Sequence, residues 1–246
     1  MRLRKFLIFL LVILLLALIS IYWPKITNAV SGNAINDNGK EPAFVKRVID
    51  GDTIDTDIGR IRLLGINTPE KSYYLHDEAE DYLREIENKS VLLLRDGDDV
   101  DKYNRKLRYI FYDNRIINVD ILQNGYATSF LTDGLIYKDK LKTAEDFAMK
   151  SGIGLWEKSN DKCASCTKLK ELNANDEYFI IENSCNFQCN LNGWVVKDDA
   201  NHFFKLTSLN ALDNKKYVSP EKIWNDDGDR FFMRDKQGKL VVYYSY

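Results

Sequence analysis

The sequence predicts a mainly-β protein: a small closed barrel with helices packed outside it, then a β-sandwich, behind an apolar N-terminal helix. Three observations carry this. An uncharged, mostly apolar run fills residues 6–23. Short strand-like runs separated by turn residues, with a few helical stretches among them, fill residues 42–158. A purely β pattern follows from residue 172 to the end.

The opening run follows Arg2, Arg4 and Lys5 and is 18 residues long. That is near the lower length for a membrane span and longer than the usual core of a cleaved signal. It has no polar face, which argues against a buried helix of a soluble domain. The leading basic residues favour a cytoplasmic N-terminus. Residues 1–23 are therefore expected to be a signal anchor or signal peptide, with cleavage near residues 27–29 as the alternative. The chain is expected to be extracytoplasmic, either membrane-anchored or secreted. Residues 24–41, rich in Asn, Gly and Ser, read as a linker.

In the next segment FVKRVI, TIDT and RIRLLGI read as three strands, with turns at Asp50-Gly51 and around Asp57 to Gly59. Residues 76–87 have helical spacing, with Ala79, Leu83 and Ile86 on one face. VLLLR, LRYIFY and RIINV read as strands, the last two joined at Asp113-Asn114. VDILQNG reads as a short helix stopped by Gly125, and residues 141–150 as a last helix before GIGLW. Antiparallel strands with a few helices suit an OB-type barrel over residues 42–158.

Composition limits the chemistry. A basic isoelectric point usually marks a nucleic-acid binder, yet the net charge is −2. Residues 41–160 carry 18 basic and 23 acidic side chains. A phosphate site here must be a local basic patch, and substrate binding should be weak and salt-sensitive. His76 and His202 are the only histidines, which counts against mechanisms built on several histidines.

The stretch VIDGDTIDTDIGRIRLLGINTPE gathers carboxylates and an arginine on a hairpin. An EF-hand is excluded, because Ile54 and Asp55 fall where a ligand and a glycine are needed. Asp52, Asn67 and the carbonyl of Thr68 are hard oxygen donors suited to Ca²⁺. Pro69 holds Thr68 extended, so that its carbonyl can point outward. Arg62 and Arg105 can bind phosphate oxygens and a phosphorane-like transition state. Glu70 can orient or deprotonate water, and Tyr103 can stack on a base.

DGDT, RIRLLGINTPE, DKYNRKLRYIF and GIGLW, in that order, resemble the staphylococcal (micrococcal) nuclease or thermonuclease family over roughly residues 42–158. The resemblance implies a five-stranded OB barrel with helices and a Ca²⁺-dependent endonuclease acting on DNA and RNA, leaving 3′-phosphates. It implies that Asp52 binds metal and Arg62 contacts the scissile phosphate. Glu70 is then general base or water-positioning group, and Arg105 stabilises the transition state and leaving group. Lys102 and Tyr103 match positions that grip the terminal phosphate. The second metal-ligand position, usually aspartate, is Asn67; losing that charge should weaken Ca²⁺ binding or favour another divalent ion. KSYYLHDEAE replaces an expected basic stretch, and its Tyr73 and Tyr74 are expected to pack on the barrel, with stacking on bases as the alternative.

Residues 159–171 read as a Cys-bearing connector. Residues 172–246 resemble a lamin-tail domain, an Ig-like sandwich, by an EYxxIxN start, a GW strand and a final hairpin. The resemblance implies a binding or anchoring module for an unknown partner, and His202 is expected to be structural. Cys163, Cys166, Cys185 and Cys189 have a spacing close to a four-cysteine zinc site. Export favours two disulfides over Zn²⁺, and cross-pairing would staple the connector onto the sandwich. The expected protein is a monomeric, exported nuclease. The alternative is a non-catalytic nucleic-acid- or protein-binding module on the same barrel.

Overall fold

The computed structural model describes residues 39–246. The expected anchor or signal helix and nearly all of the expected linker lie outside the described residues. Among the described residues no helix is long and apolar enough to cross a membrane.

A closed five-stranded barrel forms the first half. Strands β1 (Glu41–Asp50), β2 (Thr53–Thr56) and β3 (Gly59–Leu63) make an antiparallel meander. After β4 (Ile66–Asn67), β5 (Ser90–Val100) and β6 (Lys106–Tyr112) extend it in the order β3-β2-β1-β5-β6. A parallel pairing of β6 with β3, from Ile61↔Lys106 to Leu63↔Arg108, closes the ring. Register shifts in β1, at Val45/Arg47 and Val48/Asp50, supply the bends that closure needs. Val45, Ile54, Ile61, Leu63, Leu93 and Ile110 fill the core. Short strands β7 (Arg115–Ile116) and β8 (Thr128–Ser129) pair with β6 and β4.

Two runs read as strands are broken. RIRLLGI bends after Leu63, because Gly65 takes a φ of 78° and a Cβ there would lie 2.5 Å from Leu141. RIINV is strand only at Arg115–Ile116; helix α2 (Ile117–Gln123) starts at its third residue. A short apolar run does not separate strand from buried helix by period alone. Here Asn118 decides: buried at the helix start, it accepts from Ile110 N at 2.9 Å and donates to Leu64 O at 2.9 Å. Helix α1 (His76–Leu83, ending in a 3₁₀ turn to Ile86) lies on the β1 side, and α3 (Lys138–Ser151) packs on α2.

Seven strands build the second half. Strand β9 (Thr167–Asn173) begins inside the stretch expected to be connector, and pairs with β10 (Tyr178–Asn183). Then follow β11 (Val195–Lys197), β12 (Phe203–Lys205), β13 (Asp213–Val218), β14 (Arg230–Arg234) and β15 (Leu240–Ser245). They form two antiparallel sheets, β13-β10-β9 and β12-β11-β14-β15. The sheets share a core of Phe179, Ile181, Trp194, Val196, Phe231 and Met233. Strand β14 alternates strictly. Phe231 and Met233 face that core, whereas Arg230, Phe232 and Arg234 face the barrel. Trp156 packs on Phe232 and Tyr243 across the boundary. Full burial of such side chains is worth ~1.5–3 kcal/mol each. Tyr73 and Tyr74, expected on the barrel, pack on the sandwich instead. Tyr73 stacks on Phe203 at 4.0 Å, and Tyr74 meets Gly238 and Lys239.

The cysteines form two cross-paired disulfides, Cys163–Cys189 and Cys166–Cys185, with Cα–Cα distances of 5.7 and 5.4 Å. They tie the segment before β9 to the loop after β10. A sulfur in a disulfide is not a thiolate ligand, so this pairing favours the disulfides over zinc. The bridges span 26 and 19 residues, for which chain entropy gives ~3 kcal/mol each. Reduction should therefore lower the melting temperature of the chain by roughly 10 °C or more, read by circular dichroism with and without dithiothreitol.

Candidate active site

The turn between β1 and β2 begins the site. Asp50 and Asp52 flank Gly51, and a Cβ on Gly51 would lie 2.6 Å from Ala79 and 3.0 Å from Thr68 Oγ1. Only glycine lets α1 and the Thr68 segment close on this turn. Asp52 is then buried as a hub. Its Oδ2 accepts from Thr68 N at 3.0 Å and Thr68 Oγ1 at 2.8 Å, and its Oδ1 from Thr53 Oγ1 at 3.0 Å. Arg62, paired with Thr53 across β2–β3, reaches the same Oδ2 at 3.0 Å.

The kink at Gly65 brings the chain back so that Asn67 follows within reach. Arg62 Nη2 donates to Asn67 Oδ1 at 3.2 Å, and Arg62 Nη1 to Leu63 O at 2.9 Å. On the far side, the turn before β6 is built by Asp101. It accepts from the backbone N–H of Tyr103 and Arg105, both at 2.9 Å, and from Arg105 Nε at 2.6 Å. Asn104 supplies the positive φ, 63°, that this turn requires. Arg105 Nη1 meets Thr53 Oγ1 at 3.4 Å, and Lys102 and Arg105 both lie over the Tyr103 ring.

All eight residues expected at the site line one open cleft of about 760 Å³. They are Asp52, Arg62, Asn67, Thr68, Glu70, Lys102, Tyr103 and Arg105. Other residues line it too, among them Asp50, Phe130, Ala200 and Asn201, which the sequence did not mark as site residues. Asp50 had a local signal, two residues before Asp52. Asn201 had none, because it comes from the β11–β12 loop of the sandwich. Its Nδ2 donates to Glu70 Oε1 at 3.3 Å, and the neighbouring Asp199 O accepts from Asn67 Nδ2 at 3.0 Å. The loop is pinned by Arg230, which reaches Asp199 at 2.6 Å, Glu145 of α3 at 2.8 Å, and Ser129 O.

The first half of the chain, residues 60–158, matches the family model of staphylococcal nuclease homologues. A thermonuclease of Staphylococcus intermedius is 32% identical over 130 residues, covering 48% of this chain and 77% of that protein. The chain belongs to the staphylococcal nuclease family. A thermonuclease of Staphylococcus hyicus is 30% identical over 134 residues, 48% of this chain and 78% of its own length. An uncharacterized protein of Methanocaldococcus jannaschii is 32% identical over 150 residues, 48% of this chain and 72% of its own length.

Within this family fold, the donors around Asp52 are all oxygen: two carboxylates, the Asn67 amide and the Thr68 carbonyl. That set fits a hard divalent cation. The electrostatics agree. Burial first, and the Asp52 charge second, push the Asp50 carboxyl up to about 6, as desolvation beside a like charge does. A raised carboxylate pKa penalises the folded state above that pKa, and the penalty fades as pH falls toward 4. In EDTA, stability should rise as pH drops from 7 to 4. Asp50→Asn should raise it at pH 7 by roughly 2–3 kcal/mol and leave pH 4 nearly unchanged, read by urea denaturation at both pH values.

Asn67 is matched to the sandwich. Its amide accepts from Arg62 and donates to a carbonyl; a carboxylate does only the first. Asn67→Asp should cost about 1–3 kcal/mol in EDTA, measured by the same denaturation, with the spectrum of the folded state unchanged.

Proposed function

We propose that the protein is an exported, membrane-anchored, Ca²⁺-dependent endonuclease that hydrolyses DNA and RNA to 3′-phosphate products. The observation that carries this is the single cleft lined by all eight expected residues, in a family whose staphylococcal relatives are thermonucleases. The disulfides support export, since such bonds persist in oxidising compartments.

Asp52, Asn67 and the Thr68 carbonyl would hold the divalent cation, with Asp50 beside them. When bound, it would neutralise charge on the scissile phosphate. Glu70 lies exposed at the cleft and takes the proton from the attacking water, or fixes its direction. The new bond is water oxygen to phosphorus; the bond broken is phosphorus to O5′. The 3′ side keeps the phosphate, and the leaving O5′ takes a proton from solvent to become a 5′-hydroxyl while Glu70 returns its proton to solvent. Arg62 and Arg105 face the extra negative charge of the five-coordinate phosphorus, where charge-assisted hydrogen bonds are strongest. Each is now held by a carboxylate, Arg62 by Asp52 and Arg105 by Asp101. That arrangement keeps the guanidinium groups in place before substrate arrives. Lys102 and Tyr103, the latter 68% exposed, offer a charge and a ring to an adjacent nucleotide.

For the sandwich we propose a lamin-tail-like module. Seven strands in two antiparallel sheets support that reading.

The test is cleavage of plasmid and of single-stranded DNA by the purified chain, in Ca²⁺ and in EDTA. Cleavage should require the metal and drop about 10²–10³-fold in Arg105→Ala and in Glu70→Ala. Asn67→Asp should lower the Ca²⁺ concentration needed for half-maximal cleavage. A folded wild type that cuts nothing with any divalent ion supports the binding-module alternative.

A further inference from the structure

A second cavity, of about 420 Å³, lies behind the Asn67–Pro69 segment and shares Asn67, Thr68, Pro69 and Asn201 with the cleft. Tyr73 and Leu155 line it from one half of the chain, and Val195, Lys197 and Arg234 from the other. Its size falls among small-molecule sites.

Lys197 and Arg234 are the notable residues. Both are buried, at 8% and 6% exposure, on the face of the β11–β14 pair turned to the barrel. Neither forms an ion pair among the described residues. Lys197 Nζ donates to Asp198 O at 3.2 Å and Asn201 Oδ1 at 2.8 Å and lies 4.9 Å over the Phe232 ring, with no carboxylate in contact among the described residues. Arg234 Nη1 donates to Leu155 O at 2.5 Å and Gly238 O at 3.2 Å, and its Nη2 is buried with no partner.

Arg230, on the same strand face, gives the contrast, since Glu145 and Asp199 neutralise it. The carboxylates near the cavity are engaged elsewhere. Asp198 binds the backbone N–H and ring of His202, and Asp235 caps the N–H groups of Gln237 and Lys239 and accepts from Ser159. Lys236, exposed on the cavity lining, adds a third cation. Isolated buried cations are expensive unless a counter-charge meets them. Burial pushes Lys197 down to about 8, with Arg234 adding to the shift and Asp199 and Asp198 opposing it, and pushes Arg234 down to about 10 against the opposing pull of Tyr74 and Asp235.

We propose that this cavity is a phosphate-binding subsite, in which Lys197 and Arg234 Nη2 grip the oxygens of one phosphate group. Guanidinium and ammonium together suit a tetrahedral oxyanion. The shared Asn67–Pro69 wall makes a phosphate of the strand next to the cleaved bond the natural source, with free phosphate as the other. The strand assignment rests on the nuclease reading of the cleft; the anion site does not. Lys197 also holds Asn201, which holds Glu70, so an anion here bears on the orientation of the candidate base.

The test is thermal melting of the full chain at pH 7 in EDTA. One arm adds inorganic phosphate against chloride of equal ionic strength; the other adds a single-stranded thymidine pentanucleotide. Wild type should show a saturable rise of about 3 °C or more in at least one arm. Lys197→Met and Arg234→Gln should each lose it, and Lys197→Met should melt no lower than wild type in chloride. Plasmid cleavage in Ca²⁺ is measured on the same wild-type preparation, so an inactive nuclease and an absent subsite give different results. A rise with the pentanucleotide that Lys197→Met abolishes assigns the strand. A rise with phosphate alone assigns the free anion. No saturable rise in either arm, or equal rises in both pocket variants and wild type, overturns the proposal.

Discussion

Arg230 is the constraint on which the cleft depends. One guanidinium, partly buried between two halves of the chain, meets Glu145 on α3, Asp199 in the β11–β12 loop, and Ser129 O on β8. Burial alone would disfavour its charge. The two carboxylates outweigh that and hold it protonated far above the ordinary range. A largely desolvated charge is stable with both counter-charges in place and costly when a partner is removed. The loop bearing Asp199, Ala200 and Asn201 is therefore fixed where it meets Asn67 and Glu70. The apolar contact of Trp156 with Phe232 supplies area behind this clamp, and the clamp supplies register.

Inside the barrel, a second hub works on a smaller scale. Asp52 collects the Thr68 segment, Thr53 and Arg62 at one carboxylate. That is why a hairpin turn, a kinked strand end and an arginine from β3 converge. The convergence needs the missing side chain of Gly51 and the positive φ of Gly65. Neither glycine touches the expected substrate; both decide where the groups that do are held.

Much of this was legible in the sequence. The strands of the barrel stood out by alternation and turn residues, and the site by four ordered motifs. What was not legible depended on long-range contacts. RIINV carried no periodic signal strong enough to distinguish a strand from a helix start, and the deciding group, Asn118, acts on Leu64 and Ile110. Strand β9 hides in a polar run, because only Leu169 and Leu172 pack inward against the sandwich core. Tyr73 and Tyr74 were expected on the barrel, but their partners, Phe203, Gly238 and Lys239, lie more than a hundred residues away. Asn201 could not be found from any local pattern for the same reason.

The amide at position 67 has an implication for how such a chain can be recombined. Its two functional groups face in opposite directions, one to Arg62 and one to a carbonyl of the sandwich. A barrel transplanted without its sandwich would carry an amide donor with nothing to meet, and a different appended module would need a carbonyl at the same point. The two halves are separate in topology yet are coupled in one side chain. Residue 67 is therefore part of the domain boundary as much as of the cleft.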